Sequence, residues 1–277
     1  MTLPQRSAWG KALEGLVRAR DRLVAGEGDE TAATVALWLS ECDHPGGDMA
    51  AARHHLDALA RPGDIGDRSI VAIRTTLHQQ LGYRGDETTY DDLANARLVD
   101  VIQRRRGMPV ALGLLWLHMG ARLGLNAHGL NLPGHFLIAV TAPSGQHLID
   151  PFNGGQEIDA REARAFVKRF LGTEAELVPT YWVPMHPIEV LLRLQNNIKA
   201  RAVRRGWLER GDRVLETMRI LAPNRPDIIR ESAIIAIQRG HLSAARGHLE
   251  TLLALDLLPT QRTEASQWLD RLGRRLH

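Results

Sequence analysis

His135 and Asp150 are the two side chains in this sequence whose types and spacing best suit chemistry. His135 opens the run His-Phe-Leu-Ile-Ala-Val140, Asp150 closes Gln146-His-Leu-Ile-Asp, and Thr141-Ala-Pro-Ser-Gly145 between them has the composition of a turn. If both runs are strands and Val140 faces Gly145 across a four-residue loop, His135 falls directly opposite Asp150. Cross-strand partners have Cβ atoms about 4.5–5.5 Å apart. A carboxylate at that range fixes an imidazole's tautomer and stabilises the imidazolium, which is how a serine or cysteine nucleophile is activated. The bland alternative is a buried histidine satisfied by a nearby acid, and a one-residue slip would put the two on opposite faces.

The natural place for the nucleophile is the N-terminus of a buried helix, where free N–H groups and the helix dipole depress a thiol pKa. Gly107-Met108-Pro109 leads into such a helix, Val110–Leu125, in which only His118 and Arg122 are strongly polar. Its head holds Pro109, Val110 and Ala111, and none of these can attack a carbonyl. No serine or threonine lies between Tyr90 and Leu130. The single cysteine, Cys42, ends an N-terminal helix and reads as a small core hydrophobe, the alternative being a spatial return to His135. One cysteine excludes an internal disulfide and a multi-thiolate zinc site. The histidines lack tight ligand spacing, and Gly46-Gly47 and Gly154-Gly155 lack phosphate-loop surroundings, so no metal and no cofactor is expected.

The elements that must position these groups follow from periodicity. Thr31–Leu59 fits two amphipathic helices separated at His44-Pro45-Gly46-Gly47, Ile70–Leu81 a third closed by Gly82, and Asp92–Arg105 a fourth, with Arg84–Thr89 a polar loop between. Asp159–Phe170 reads as a short helix, and Val178–Pro187, with three prolines, as a linker. The tail, Ile188–His277, is helical by pattern. Arg205-Gly206 recurs as Arg239-Gly240 after 34 residues, and the same offset relates Leu208, Leu215, Met218 and Leu221 to Leu242, Leu249, Leu252 and Leu255. That is the tetratricopeptide period, each unit a helix–turn–helix.

The 277 residues are 44% hydrophobic and 24% charged, with net charge +3, a globular composition. Met1–Arg22 lacks the apolar region of a signal peptide. The apolar helical stretch Gly107–Ala121 is shorter than the ~18 residues of a spanning helix. A cytoplasmic chain without a membrane segment is expected. Arginine clusters at 104–106, 201–205 and 271–275 read as solvated helix faces rather than a nucleic-acid patch.

Several of these stretches together resemble one family. Leu81-Gly-Tyr-Arg-Gly-Asp86, Tyr90 with Asp92, Asn95 and Leu98, Arg104-Arg-Arg-Gly-Met-Pro-Val-Ala-Leu112, Leu132-Pro-Gly-His-Phe-Leu137 and Ile149-Asp-Pro-Phe-Asn-Gly-Gly155 are similar to the signatures of the bacterial SirB-one family. Leu93, Ala96 and Ala111 depart from it, standing where that family usually has Pro, Ser and Ser. The resemblance implies an α+β fold: a transglutaminase-like, papain-related core with N-terminal helices (1–82) and a small antiparallel sheet (83–180), then an all-α tetratricopeptide-like tail (188–277). It matches His135 and Asp150 to the second and third members of a triad whose cysteine would stand near Pro109. Pro109, Ala111, Asn131 and Asn153 are expected to line that site. Because the family typically lacks the cysteine, the expected function is a non-catalytic protein-interaction or regulatory module whose tail takes a protein or peptide partner. The alternative is a hydrolase or acyltransferase of amide or ester bonds, with His135 as base, Asp150 as its orienter, and water or Cys42 as nucleophile. A third reading is a cleft that kept a ligand and lost turnover.

Overall fold

The computed structural model describes residues 3–59 and 70–276. The chain divides after Leu194 into two compact units. The first opens with helices α1 (Leu3–Ala25), α2 (Ala32–Asp43) and α3 (Met49–Leu59), followed by α4 (Ile70–Arg74), which runs on as a π-helical turn through Gln80. Then come β1 (Arg84–Gly85), α5 (Leu98–Arg104), β2 (Arg106–Gly107) and the central helix α6 (Pro109–Leu123). A four-stranded antiparallel sheet follows in chain order, β3 (Asn126–Leu132), β4 (His135–Ala142), β5 (Gly145–Asp150) and β6 (Gln156–Ile158), and α7 (Ala160–Leu171) packs on it. The helix α8 (Pro187–Arg204) begins in the first unit. This is an α+β architecture, and no described helix is long and apolar enough to cross a membrane.

The apolar run of β4 has no polar alternation because both faces of the strand are covered. On one face the Phe136 ring lies against Gly113 of α6 and Gly129 of β3, where a Cβ would come within 2.4 Å and 2.5 Å of it. On the other, Leu137 and Ala139 join Leu130, Leu132, Ile158, Ala163 and Val167 in a core closed by α7. The helix α6 is buried along almost its whole length, starts with Pro109 at its first position and ends at Gly124 in the left-handed region (φ 72°). Its His118 is a satisfied core histidine, with Nδ1 2.9 Å from Thr31 Oγ1 and Nε2 2.9 Å from the Leu56 carbonyl oxygen.

Four sequence expectations change. The β4–β5 hairpin pairs Ala142 with Gly145 around a two-residue loop, two positions away from the expected register. Pro143 pre-sets one turn torsion, and Gly145 takes the positive φ of 125° that tightens the loop. The strand β3 was not expected, because its asparagines and glycine are poor strand formers that pay off only when paired with β4. Asp92–Arg105 is broken into a 3-10 turn, Leu93–Asn95, and α5. Asp92 accepts the Ala94 N–H and the Asn95 amide donates to the Thr89 carbonyl, so local side-chain bonding competes with helix propagation. The proline-rich stretch before α8 is more than a linker, since the Met185 N–H donates to the Gly129 carbonyl at 2.9 Å on the outer edge of β3.

The second unit is helical, with α9 (Leu208–Leu221), α10 (Pro226–Gln238), α11 (Leu242–Leu253) and α12 (Pro259–Leu276), each packed on the next. The 34-residue offset is visible in the backbone: Gly206 and Gly240 have φ of 71° and 73°. The following residues, Trp207 and His241, share φ/ψ of −81°/62° and −85°/64°. Leu215 and Leu249 are both fully buried at equivalent positions.

Replacing Gly129 by alanine drives a Cβ into the Phe136 ring. The expected cost is about 1–3 kcal/mol, read as a lowered midpoint in urea denaturation; an unchanged midpoint would show that β4 is not wedged there.

Candidate functional site

His135 stands at the start of β4 on the face that packs against α7. Extending the β4–β5 register places Asp150 opposite Leu137, so His135 and Asp150 are diagonal rather than direct partners. The two-residue slip preserves the face, and diagonal neighbours remain within reach of long side chains. His135 Nε2 lies 3.0 Å from Asp150 Oδ2, with both side chains largely buried. The approach is bent off the N–H axis, a close electrostatic contact rather than a linear hydrogen bond. Nδ1 of His135 has no hydrogen bond to any described residue and is the ring nitrogen left for another group.

Asp150 is held from its other side. Its Oδ1 accepts the Phe152 N–H at 2.9 Å and the Asn153 N–H at 3.3 Å, and Oδ2 accepts the Asn153 side-chain amide at 2.7 Å. Burial pushes this carboxyl up, but the His135 ring, the Asn153 amide and the Phe152 N–H together hold it below the usual range. The loop after Asp150 is pinned at two points. The Phe152 ring lies over Gly85, whose N–H donates to the Phe152 carbonyl at 3.0 Å. Further on, Gly155 sits against His78 and Trp116. The Trp116 indole N–H donates to His78 Nε2 at 2.9 Å and His78 Nδ1 faces the Tyr83 carbonyl at 2.7 Å, an arrangement that suits neutral imidazole. Burial lowers the His78 pKa in the same direction.

Aromatic side chains frame the pair. Phe166 of α7 stacks on the His135 ring at a centroid distance of 4.2 Å and an interplanar angle of 19°, while Phe152 meets it edge-on at 6.5 Å. Arg193 of α8 donates to the His135 carbonyl at 2.6 Å and the Leu132 carbonyl at 3.2 Å, tying the start of β4 to the end of β3. Phe166 and Arg193 were not singled out in the sequence. The stripe Ala163, Phe166, Val167, Phe170 is readable there as an apolar helix face, but which sheet face it covers is not.

The motifs around α6 tie the head of that helix to the 83–95 segment. Arg104 donates to Asp86 at 2.9 Å and to Asn95 at 3.1 Å, and the Met108 N–H at the head of α6 donates to the Asn95 carbonyl at 3.0 Å. Arg105 takes a left-handed φ of 57°, stacks over Tyr83 at 4.7 Å, and bonds the Tyr83 hydroxyl and His55. Burial and the Arg105 charge push His55 down to about 4, and burial pushes Tyr83 up to about 12. Arg104 and Arg105 are therefore structural ties, contrary to the expectation of a solvated face. The side chains of Arg274 and Arg275 lie outside the described residues.

Of the expected lining residues, Asn153 is the clamp on Asp150, whereas Asn131 is exposed on β3. Pro109 and Ala111 are buried in the packing of α6. Cys42 is buried in α2, whose helical neighbours are α1, α3, α5 and α6, while the ring of His135 is enclosed by Phe152 and α7. A second histidine–carboxylate contact joins His147 to Glu157 at 2.6 Å, with Ser144 on the other ring nitrogen at 2.7 Å. It lies on the outer surface, where water screens it. Among the described residues no group of three or more His, Cys, Asp or Glu side chains is arranged to hold a metal ion.

The family model described as "Transglutaminase-like superfamily" matches residues 48–196, more than half of the chain and the whole of this site. The chain belongs to that superfamily. A UPF0162 protein of Xylella fastidiosa is 32% identical over 189 residues, covering 67% of each chain. The UPF0162 protein of Pseudomonas aeruginosa is 31% identical over 170 residues, covering 59% of this chain and 62% of its own. A crystal structure of menin is similar at a TM-score of 0.44 and 9% identity, covering 85% of this chain and 65% of that one. In this transglutaminase-like protein the motif residues thus build a histidine–aspartate pair on the α7 face of the sheet, while the head of α6, which packs on the other face, carries Met108, Pro109, Val110 and Ala111.

Since the folded Asp150 carboxyl has a lowered pKa, its contribution to stability is complete above the unfolded value, about 3.9, and is lost as pH falls through the folded value. Asp150→Asn is expected to be destabilised by about 1–3 kcal/mol near neutrality, with the gap to the parent closing in acid. Denaturation midpoints between neutral pH and pH of about 3 check this, and a gap independent of pH would refute it.

Proposed function

We propose that this protein is a non-catalytic member of the transglutaminase-like superfamily, of the SirB-one type, acting in the cytoplasm as a protein-interaction or regulatory module. The observation that carries the reading is the head of α6: Met108, Pro109, Val110 and Ala111 are all buried, and none bears a nucleophilic group. In a triad the histidine serves a nucleophile. Here the His135–Asp150 geometry is maintained by Asn153, Phe152 and Phe166 with nothing at that position to activate.

The tail supports the second half of the reading. Its repeated turn geometry and 34-residue offset fit tetratricopeptide-type units, which stack into surfaces that hold peptide segments. In this view the core retains its folding framework and the tail takes the partner.

The full chain is to be tested for amine incorporation into a glutamine peptide and for hydrolysis of small amides and esters. No turnover above buffer is expected, and none that His135→Ala removes. A rate that falls about 10²–10⁴-fold in His135→Ala, as loss of a general base does, would overturn this reading in favour of a hydrolase or acyltransferase.

A further inference from the structure

Ser144, His147 and Glu157 stand in line at the loop end of the β4–β5 hairpin, the end of β4 opposite to His135. Ser144 Oγ lies 2.7 Å from His147 Nε2, and His147 Nδ1 lies 2.6 Å from Glu157 Oε1. An ionised carboxylate can only accept, so Nδ1 carries a proton and donates it toward Glu157. In neutral imidazole Nε2 is then the acceptor, and the Ser144 hydroxyl donates to it. A hydroxyl, a base within hydrogen-bond reach and a carboxylate that orients the base make up the order of groups that activates a nucleophile.

The sheet sets this order. Pro143 and Ser144 are the two loop residues, and His147 follows three positions after Ser144 on β5. Glu157 of β6 pairs with Ile149, which puts it on the same face as His147 and diagonal to it. None of the three belongs to the stretches that resemble the SirB-one signatures. Ser144 is exposed, and the side chains of His147 and Glu157 are 22% and 54% exposed. That openness decides what the arrangement can do. An oxyanion formed there is solvated by water rather than by fixed donors, and fixed donors are usually the largest part of catalysed turnover. The same openness leaves Ser144 within reach of a reagent that is already activated.

We infer that Ser144 is an acyl-acceptor site, taking one acyl group from a thioester. Ser144 Oγ attacks the thioester carbonyl carbon while His147 Nε2 takes the hydroxyl proton. The carbon–sulfur bond then breaks, the thiolate leaves, and His147 returns the proton to it, so that an oxygen ester on Ser144 and a free thiol are the products. Glu157 stabilises the imidazolium in between. The result is a modified hairpin tip, not a turnover cycle.

The test incubates the full chain with S-phenyl thioacetate and follows thiophenol release together with peptide mass mapping. One acetyl group is expected at Ser144, cleaved by hydroxylamine as an oxygen ester. Ser243, an exposed serine on α11, should be acylated at least about tenfold more slowly. Ser144→Ala should remove the ester. His147→Gln keeps a hydrogen-bond acceptor beside Ser144 but cannot take its proton, and should slow acylation about 10²-fold, the lower end of what a general base contributes. Glu157→Gln should fall between that variant and the parent, and circular dichroism melts verify that each is folded. Equal labelling of Ser144 and Ser243, or an unchanged rate in His147→Gln, would overturn the inference and leave two surface hydrogen bonds that fasten a turn. Acetyl groups confined to Cys42 and the lysines would overturn it as well. The readout is one ester at Ser144 under the control of His147, so its failure is distinct from a failure of the non-catalytic reading, which is decided by turnover that depends on His135.

Discussion

The arrangement of the first unit depends on β4 being buried on both faces. A strand sends alternate side chains to opposite sides, so covering both of them lets one short segment serve two cores. Phe136 and Ile138 are committed to α6 through the space that Gly113 and Gly129 leave. His135, Leu137 and Ala139 are committed to the α7 side. Once Phe136 is wedged, His135 has no choice of face, and the imidazole meets Asp150, Phe152 and Phe166 as a consequence of packing.

That constraint also explains why the pair tolerates an inexact strand alignment. A slip of two residues changes which backbone groups bond but leaves the side chains on the same face, and only an odd slip would separate His135 from Asp150. Precision then comes from the loop after Asp150. The Asn153 clamp, the Phe152 ring over Gly85 and the packing of Gly155 on Trp116 hold the carboxylate in place. The arginine signature contributes from the other direction, because Arg104 and Arg105 join the 83–95 segment to the entrance of α6. Residues far apart in the chain thereby act as one support for a charged group removed from water, which would otherwise be costly to bury.

A support of this kind has a folding role of its own. The buried Asp150 needs its donors and the imidazole its stacking partner whether or not a reaction takes place, since leaving either unsatisfied would destabilise the core. Folding alone therefore gives the pair a reason to be held in this geometry.

Much of this protein was legible in its sequence, where the signal is local. The wholly apolar α6, its proline start and its Gly124 stop follow from side-chain type and helix caps. The hairpin containing His135 and Asp150 follows from period-two patterning around Pro143 and Gly145, and the 34-residue repeat from simple recurrence. The absence of a nucleophile at Pro109–Ala111 could be read directly. Other features depend on partners distant in sequence, and only the tertiary structure decided them. Strand β3 exists because β4 offers its edge, not because Asn126–Leu132 prefers extension. The diagonal register depends on a two-residue loop rather than a four-residue one. The stacking of Phe166 on His135 depends on which sheet face α7 covers, and the ties made by Arg104 and Arg105 depend on Asp86, Tyr83 and His55 arriving from elsewhere. Local chemistry determined what the elements are, and long-range packing determined what each side chain meets.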